Sequence, residues 1–211
     1  MSSSEPAPSA TPVGDDFRRN LALAGARPFL RTRRIALFEL APAQALDLLR
    51  LGLESRVARH ILDAPLDTLV EVVGMIEHAR RIHIERPGLG IWYATDRHGA
   101  FIGIFSLVPS TESGAIEIGT RLLPRTWGRG YALEGGVALC EHAFGPLGLS
   151  SLIGLCTPEN RSVPPLLERL GFRADGRTEQ FGKPALRFAL AREDWSGARR
   201  RTHCRSPSTT A

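Results

Sequence analysis

The spacing of hydrophobic residues changes near Pro87–Gly88, and this change separates an early helical part of the chain from a later part of mixed character. Before the change, apolar residues recur every three or four positions, which is typical of amphipathic helices. The pattern predicts a first strand within Thr32–Leu40, and then helices over Ala41–Gly52, Ser55–Leu62 and Leu66–Arg86.

After Gly88 the apolar residues alternate with polar ones or form short runs, which is typical of strands. The predicted strands are Leu89–Ala94, Ala100–Leu107, Ala115–Leu123, Leu149–Cys156, one that begins at Phe172, and Pro184–Ala191. Helices are predicted after a Gly-rich loop, ending near Phe144, and over Asn160–Leu170. Because Ala115–Leu123 and Leu149–Cys156 flank a helix, we expect them to run parallel with a right-handed crossover. The fold class is therefore α/β (α+β) with a mixed sheet.

The two ends of the chain lack this periodicity. Residues 1–28 are rich in Ser, Pro and Ala, a composition that is typical of a disordered tail. Residues 196–211 are basic and predict a flexible C-terminal tail. One folded domain is therefore expected over residues 29–195, in keeping with a length of 211 residues.

The composition is ordinary for a globular protein, but the charge is not. The formal net charge is +5 with a pI of about 9.8, and Lys183 is the only lysine. One interpretation is a GC-rich genome that replaces lysine codons with arginine codons, and the scattered arginines favour it. The other is a basic face for RNA, an acidic protein or a phosphorylated ligand. We regard a nucleic acid partner as the weaker expectation, although Arg199–Arg205 forms a basic cluster in the tail.

Cysteine usage and hydropathy exclude several classes of protein. The three cysteines are widely spaced with no CxxC pair, so neither a zinc site nor a disulfide framework is predicted, and no metal is expected. No run of about 18 apolar residues occurs, which argues against a membrane span. The first residues lack the basic and apolar regions of a signal peptide. A reducing cytoplasm is the expected compartment.

The loop that opens the helix ending near Phe144 is the strongest candidate for chemistry. Backbone amides of Gly128–Ala132 gather where a helix begins, and a helix N-terminus offers unpaired donors and a partial positive charge. Glycine lets a ligand approach the backbone, so the loop predicts an anion site, most often one for phosphate. A Rossmann fingerprint fails because Gly130 and Gly135 are out of register, and a Walker loop would need a lysine.

The same loop resembles the signature of a known family. Arg125-x-x-Gly128-x-Gly130 resembles the Gln/Arg-x-x-Gly-x-Gly/Ala motif of the GNAT superfamily of acetyl-CoA-dependent N-acetyltransferases. The string Trp127–Glu134 is similar to the branch with ribosomal-protein N-terminal acetyltransferases. Further matches follow in the family's order, and they are Thr32–Arg34, Glu117–Gly119, Pro158–Asn160 and Leu167–Phe172. The resemblance covers Thr32 to Leu190 and implies a strongly twisted mixed sheet of about six to seven strands flanked by helices.

The resemblance implies acetyl-CoA as a co-substrate and assigns residues to it. The amides of Gly128, Arg129, Gly130, Tyr131 and Ala132 would hold the pyrophosphate of CoA, with Arg125 beside them. The backbone of Leu122 and Leu123 would run along the pantetheine arm, and one amide would polarise the thioester carbonyl. Asn160 would bond the pantetheine arm or the pyrophosphate side.

Glu117 is the candidate general base, because the family often has a carboxylate on this strand. A solvated or ion-paired strand glutamate is the equally weighted alternative. The tyrosine that many relatives use as general acid is missing, since only Tyr93 and Tyr131 occur, and Val163 stands where relatives often have serine, next to Ser162. Cys156 is better explained as a packed core residue than as a nucleophile.

The predicted activity is direct acetyl transfer from acetyl-CoA to a primary amine. The best acceptor is a protein N-terminal α-amine, and the alternative is a small-molecule amine such as an antibiotic or metabolite. A catalytically weak CoA-binding module, or an RNA-associated one, stays open because the tyrosine is missing and the tail is basic. A homodimer also stays open.

Overall fold

An eight-stranded sheet lies at the centre of the computed structural model, which describes residue 23 and residues 25–63, 65–110 and 113–197. The strands are β1 (Leu30–Arg31), β2 (Ile35–Glu39), β3 (Gly90–Asp96), β4 (Phe101–Pro109), β5 (Ile116–Leu122), β6 (Ser151–Cys156), β7 (Arg173–Gln180) and β8 (Lys183–Ala191). The α-helices are α1 (Ala45–Leu53), α2 (Ser55–Ala58), α3 (Leu69–Glu85), α4 (Tyr131–Phe144) and α5 (Val163–Leu170). Short 3₁₀ turns cover Pro42–Gln44, Pro124–Thr126 and Arg192–Asp194.

The strand order is β1-β2-β3-β4-β5-β6-β8-β7, and every neighbouring pair is antiparallel except β5 and β6. The predicted mixed α/β fold is confirmed, including the parallel pair around α4. The sheet has eight strands, one more than the six to seven expected. The additional strand is β1, which is only two residues long. A two-residue strand has no periodicity that a sequence could display.

The parallel pair β5 and β6 is splayed. Of the residues described in these two strands, only Glu117 and Ile153 are in register. Beyond this pair, Ile118–Leu122 and Gly154–Cys156 form no further pairs between the facing edges of the two strands. We call the opening between these edges the β5–β6 slot. Backbone groups on such unpaired edges keep their hydrogen-bonding capacity for another partner.

Helices cover the sheet in two hydrophobic layers. On one face, α4 buries Leu139 and Cys140 against sheet residues that include Phe105 and Leu107. On the other face, α1 and α3 pack against a second cluster. Its buried members are Leu40, Leu48, Leu51, Val57, Leu66, Val72, Ile76, Ala79, Tyr93, Phe101 and Ile104. The site described below lies where the splayed strands meet both layers.

Two helices begin three residues later than the spacing predicts. The helix α3 begins at Leu69 because Thr68 caps it, accepting from the Glu71 amide while the Glu71 carboxylate accepts from the Thr68 amide. The helix α5 begins at Val163, because residues 158–162 form turns instead. Ser162 holds the position before α5, but its hydroxyl donates to Asn160 and makes no cap bond.

The predicted tails fall largely outside the described residues, which begin at residue 23 and end at residue 197. The basic cluster Arg199–Arg205 also falls outside them. Within the parts of the chain that the structure describes, no helix is both long and apolar enough to cross a membrane.

Candidate active site

The loop between β5 and α4 has the backbone shape that its glycines predict. Gly128 and Gly130 adopt positive φ angles of 72° and 77°, and Gly130 is the residue before the first turn of α4. A Cβ atom added at Gly128 would meet no heavy atom within 4 Å. The loop therefore turns its backbone toward open space at the start of a 14-residue helix, an arrangement that suits an anionic ligand.

A network around Glu134, one turn into α4, fastens this loop to the edge of the sheet. The Glu134 carboxylate accepts hydrogen bonds from the Thr32 hydroxyl at 2.6 Å, the Arg34 amide at 2.9 Å and Arg34 Nε at 2.5 Å. Arg34 also donates to the carbonyl oxygen of Arg129 and lies over the Tyr131 ring. Burial opposes the charged carboxylate, but the bonds from Thr32 and Arg34 outweigh it, so the pKa of Glu134 lies below its ordinary value.

We expect Glu134→Gln to lower the melting temperature by about 3–6 °C at pH 7, since it weakens several bonds to a charged, partly buried group. A lowered carboxyl pKa stabilises the folded state above the ordinary glutamate value of 4.5, and this contribution is lost as the pH falls below it. The difference in melting temperature between parent and variant should therefore shrink in acid. Calorimetry at pH 7 and pH 3.5 checks this, and a difference that is equal at both pH values would contradict the assignment.

The two leucines predicted to contact the pantetheine arm differ in what they expose. The Leu123 amide donates to Ile102 O on β4 at 3.0 Å, so it is not available to a ligand. Because the amides of an antiparallel strand alternate in direction, the Leu122 amide faces the β5–β6 slot instead. The Leu122 carbonyl accepts from Trp127 Nε1 at 2.7 Å, which anchors the loop to the end of β5.

The two remaining polar residues predicted to contact CoA lie on opposite sides of the slot. Arg125 donates to Phe101 O at 2.5 Å, so part of its guanidinium holds the loop against β4. Asn160 follows β6, and its Oδ1 accepts from the Ser162 amide and hydroxyl. The NH₂ group of Asn160 donates to none of the described residues, which leaves its two donors for a ligand.

Glu117 lies at the closed end of the β5–β6 slot, where the two strands are still in register. Burial and, to a smaller extent, the charge of Asp63 raise the pKa of the Glu117 carboxyl, the charge of Arg121 lowers it, and the net result is a pKa of about 7. A carboxyl group that changes protonation near neutral pH is suited to accept a proton from an amine.

Asp63 and Arg121 complete the surroundings of Glu117, and the sequence analysis missed both. Arg121 Nη2 donates to Asp63 Oδ2 at 2.5 Å. Lys183, at the start of β8, donates to the carbonyl oxygens of Ile61 and Asp63 at 3.1 and 3.4 Å. The even spacing of Glu117 and Arg121 on one strand was a signal that both side chains share a face. Nothing in the sequence indicated the approach of Asp63, which is 58 residues from Arg121.

Other reactive side chains have structural surroundings. Burial raises the pKa of the Cys156 thiol to about 11, which keeps it protonated and unsuited to nucleophilic attack. The Tyr93 hydroxyl donates to Asp47, and Tyr131 lies under Arg34 at the helix start. Across residues 25–63, 65–110 and 113–197, no three His, Cys, Asp or Glu side chains converge on a site that could hold a metal ion.

A wide surface groove of about 880 Å³ runs along the outer side of α4. It is lined by residues that include Arg31, Arg33, Val137 and Arg169, and it reaches the loop only at Gly130. Neither Glu117 nor Leu122 lines it. The glycine loop, Glu117 and the unpaired edge of β5 lie along the β5–β6 slot instead.

The sequence pattern of the family described as "Acetyltransferase (GNAT) domain" matches residues 34–173. This chain belongs to the GNAT acetyltransferase family. The match contains β2 to the start of β7, so the whole β5–loop–α4 unit lies within the family's domain. The resemblance inferred from the glycine loop is confirmed.

Relatives agree with this assignment. The chain is 25% identical over 186 residues to FsC-acetyl coenzyme A-N(2)-transacetylase of Aspergillus fumigatus, which covers 81% of this chain and 79% of the relative. An acetyltransferase structure from Agrobacterium tumefaciens is 26% identical with a TM-score of 0.67, covering 78% of this chain and 95% of the other. The RimL ribosomal L7/L12 α-N-protein acetyltransferase in complex with coenzyme A shares the fold, at 15% identity with a TM-score of 0.65, covering 78% and 98%.

The GNAT protein is therefore an acetyl-CoA-dependent N-acetyltransferase. Two structures that share the fold were solved with acetyl-CoA or CoA bound. The relatives are named for different acceptors, one for FsC and another for ribosomal L7/L12.

Proposed function

We propose that this GNAT protein acetylates the α-amino group of a protein N-terminus and that Glu117 is its general base. The observation that carries the proposal is the position of Glu117, a half-buried carboxyl with a pKa of about 7 at the closed end of the β5–β6 slot. An α-amine with a pKa of about 7.7–8.0 needs only a modest base near neutral pH.

Acetyl-CoA would lie across the mouth of the slot. The amides of Gly128, Arg129, Gly130, Tyr131 and Ala132 would bind its pyrophosphate at the N-terminus of α4, where the helix dipole favours negative charge. The Leu122 amide would donate to the pantetheine arm or to the thioester carbonyl, and Asn160 would donate from the α5 side. Arg125 would support the loop through its bond to Phe101 and add positive charge nearby.

The reaction needs no covalent enzyme intermediate. The amine nitrogen attacks the thioester carbon, and the new C–N bond forms as the C–S bond breaks. Glu117 accepts the proton that the nitrogen loses, directly or through water. The CoA thiolate leaves and takes a proton from solvent, which is feasible because a thiol with a pKa of about 8.5 is a good leaving group. A backbone amide on the carbonyl oxygen would stabilise the charge that develops there.

The acceptor assignment is supported by two features. The string Trp127–Glu134 is similar to that of ribosomal-protein N-terminal acetyltransferases, and a protein named for that activity shares this fold. A small-molecule amine is the second candidate, because the Aspergillus relative, which covers 81% of this chain, is named for a different acceptor.

Release of free thiol from acetyl-CoA tests the proposal. A panel of peptides with different first residues is compared with matching peptides whose N-terminus is blocked and with small amines. We expect turnover of free peptide N-termini in preference to lysine side chains and to the small amines. Preference for a small amine would favour the second candidate. Tight acetyl-CoA binding without turnover of any amine would contradict the enzymatic proposal and leave a binding module.

A further inference from the structure

The ion pair between Asp63 and Arg121 leaves one polar atom of each side chain without a partner, and these two atoms can bind an acceptor. Arg121 Nη2 and Asp63 Oδ2 bond each other, but Nη1 and Oδ1 are buried and have no hydrogen-bond partner among the described residues. The pair therefore keeps one cationic donor and one anionic acceptor that the described residues do not satisfy. Buried polar groups that stay unpaired are costly and are found mainly where a ligand or water completes them.

An amino-terminal residue carries the complementary pair of groups. Its ammonium is a cationic donor, and its own carbonyl oxygen, two bonds from the amine-bearing carbon, is an acceptor. A simple alkylamine has only the first of these. A site with one free carboxylate oxygen and one free guanidinium nitrogen on the same ion pair can satisfy both groups at once.

We propose that the Asp63–Arg121 ion pair recognises the first residue of the acceptor, with Asp63 Oδ1 receiving the ammonium and Arg121 Nη1 donating to the neighbouring carbonyl oxygen. This inference rests on the proposed function and adds the residues that select the acceptor class. The seat lies on the same face of β5 as Glu117, and the charges of Asp63 and Arg121 both act on the Glu117 carboxyl. The proposed base and the proposed seat for the amine therefore share one face of the sheet.

Lys183 holds the backbone at Ile61 and Asp63. Lys183 donates to the carbonyl oxygens of Ile61 and Asp63, and both bonds are exposed to solvent. Since Oδ1 and Nη1 are buried, an acceptor reaches them only when the contacts of Lys183 with Ile61 and Asp63 open. Exposed side-chain bonds of this kind are among the first to open, and binding loops are drawn from the less stable parts of a fold.

A loss of recognition can be distinguished from a loss of folding by testing two amines on one conservative variant. Alaninamide has the carbonyl oxygen, and isopropylamine has a methyl group in place of the carboxamide. Arg121→Lys keeps a cation for Asp63 but loses the guanidinium fork. We expect kcat/KM of Arg121→Lys for alaninamide to fall about tenfold or more, with isopropylamine changed less than twofold. Comparing variant with parent for each amine cancels the difference in amine basicity.

Asp63→Asn tests the carboxylate separately, because both amines carry the ammonium that Asp63 would bind. We expect it to raise KM for both amines by about tenfold. Arg173→Lys is the matched control, since Arg173 makes a comparable but exposed ion pair with Asp194, and both rates should stay at the parental value. Equal losses for both amines in Arg121→Lys, or unchanged KM values in Asp63→Asn, would overturn the proposal.

Calorimetry with CoA present measures the same selection without turnover. Parent protein should bind alaninamide more tightly than isopropylamine, and Arg121→Lys should remove the difference. Equal binding of the two amines by the parent protein would overturn the proposal, whatever the turnover. A clear binding preference without turnover would contradict the enzymatic function alone and leave the recognition role intact.

Discussion

Replacing Glu117 by glutamine should lower kcat roughly 100-fold while the affinity for acetyl-CoA stays within a factor of two. The glutamine side chain has nearly the same shape but cannot accept the proton that the amine loses. In the proposed binding mode acetyl-CoA is held by the loop and by the N-terminus of α4, which the substitution does not touch. Steady-state kinetics with the best peptide, together with calorimetric titration of acetyl-CoA, check both parts of this result.

The pH dependence of kcat provides a second test of Glu117. Because the Glu117 carboxyl has a pKa of about 7, the carboxylate form predominates only above that value, and kcat should rise with pH through about 7. The rise due to Glu117 should vanish in Glu117→Gln. Glu39→Gln is a suitable control, since Glu39 is an exposed glutamate on β2, and its profile should match that of the parent. An unchanged profile in Glu117→Gln would remove this residue from the mechanism.

Glu117→Gln should lower activity but raise the stability of the folded protein. The pKa of Glu117 is about 7 in the folded protein and 4.5 ordinarily, so the folded state holds the proton more tightly. Folding free energy is therefore lost as the pH rises from 4.5 to 7, up to about 3 kcal/mol. The glutamine variant escapes this loss and should melt at a higher temperature than the parent at pH 8. A less active but more stable variant cannot be explained by unfolding.

Gly128→Asp should weaken acetyl-CoA binding about 100-fold, because it places a negative charge where the pyrophosphate would lie. Gly128→Asn has nearly the same shape without the charge, and we expect a loss of about tenfold from reduced access to the backbone. Asparagine and aspartate tolerate positive φ angles better than other residues, so both variants should fold. Calorimetric titration with acetyl-CoA measures the two affinities.

Gly176 offers a matched control for Gly128. It also has a positive φ angle, 93°, and a Cβ atom added there would meet no atom within 4 Å. Gly176→Asp should therefore produce a similar local strain on β7 and leave the affinity for acetyl-CoA unchanged. If Gly128→Asp and Gly128→Asn bind acetyl-CoA equally well, the loop does not hold the pyrophosphate.

The local elements of the fold were predictable, because each depends on residues close together in the sequence. Among the described residues, the hydrophobic periods located every α-helix and seven of the eight strands, and the flanking helix implied the parallel pair. The predicted starts of α3 and α5 were three residues too early. A helix such as α3 begins after its capping residue, Thr68, and apolar spacing alone does not show where that residue lies. The two-residue β1 left no pattern to detect.

The candidate site was predictable only where it is local or carried by the family resemblance. The glycine loop and Glu117 fall into this class. The roles of Asp63, Arg121 and Lys183 depend on contacts between residues 58 to 122 positions apart, and such contacts leave no spacing signal in one sequence. The direction of the Leu122 and Leu123 amides likewise depends on the register between β4 and β5.

Lys183, at the start of β8, is the only lysine in a protein that acetylates amines. Lys183 carries the one side-chain amine in the chain, so self-acetylation could modify only this residue and the chain's own N-terminus. Its ammonium is already engaged by the carbonyl oxygens of Ile61 and Asp63. Arginine supplies the remaining basic charge, and its guanidinium stays protonated and is a poor nucleophile at neutral pH. The protein therefore presents almost none of its own surface as a competing substrate.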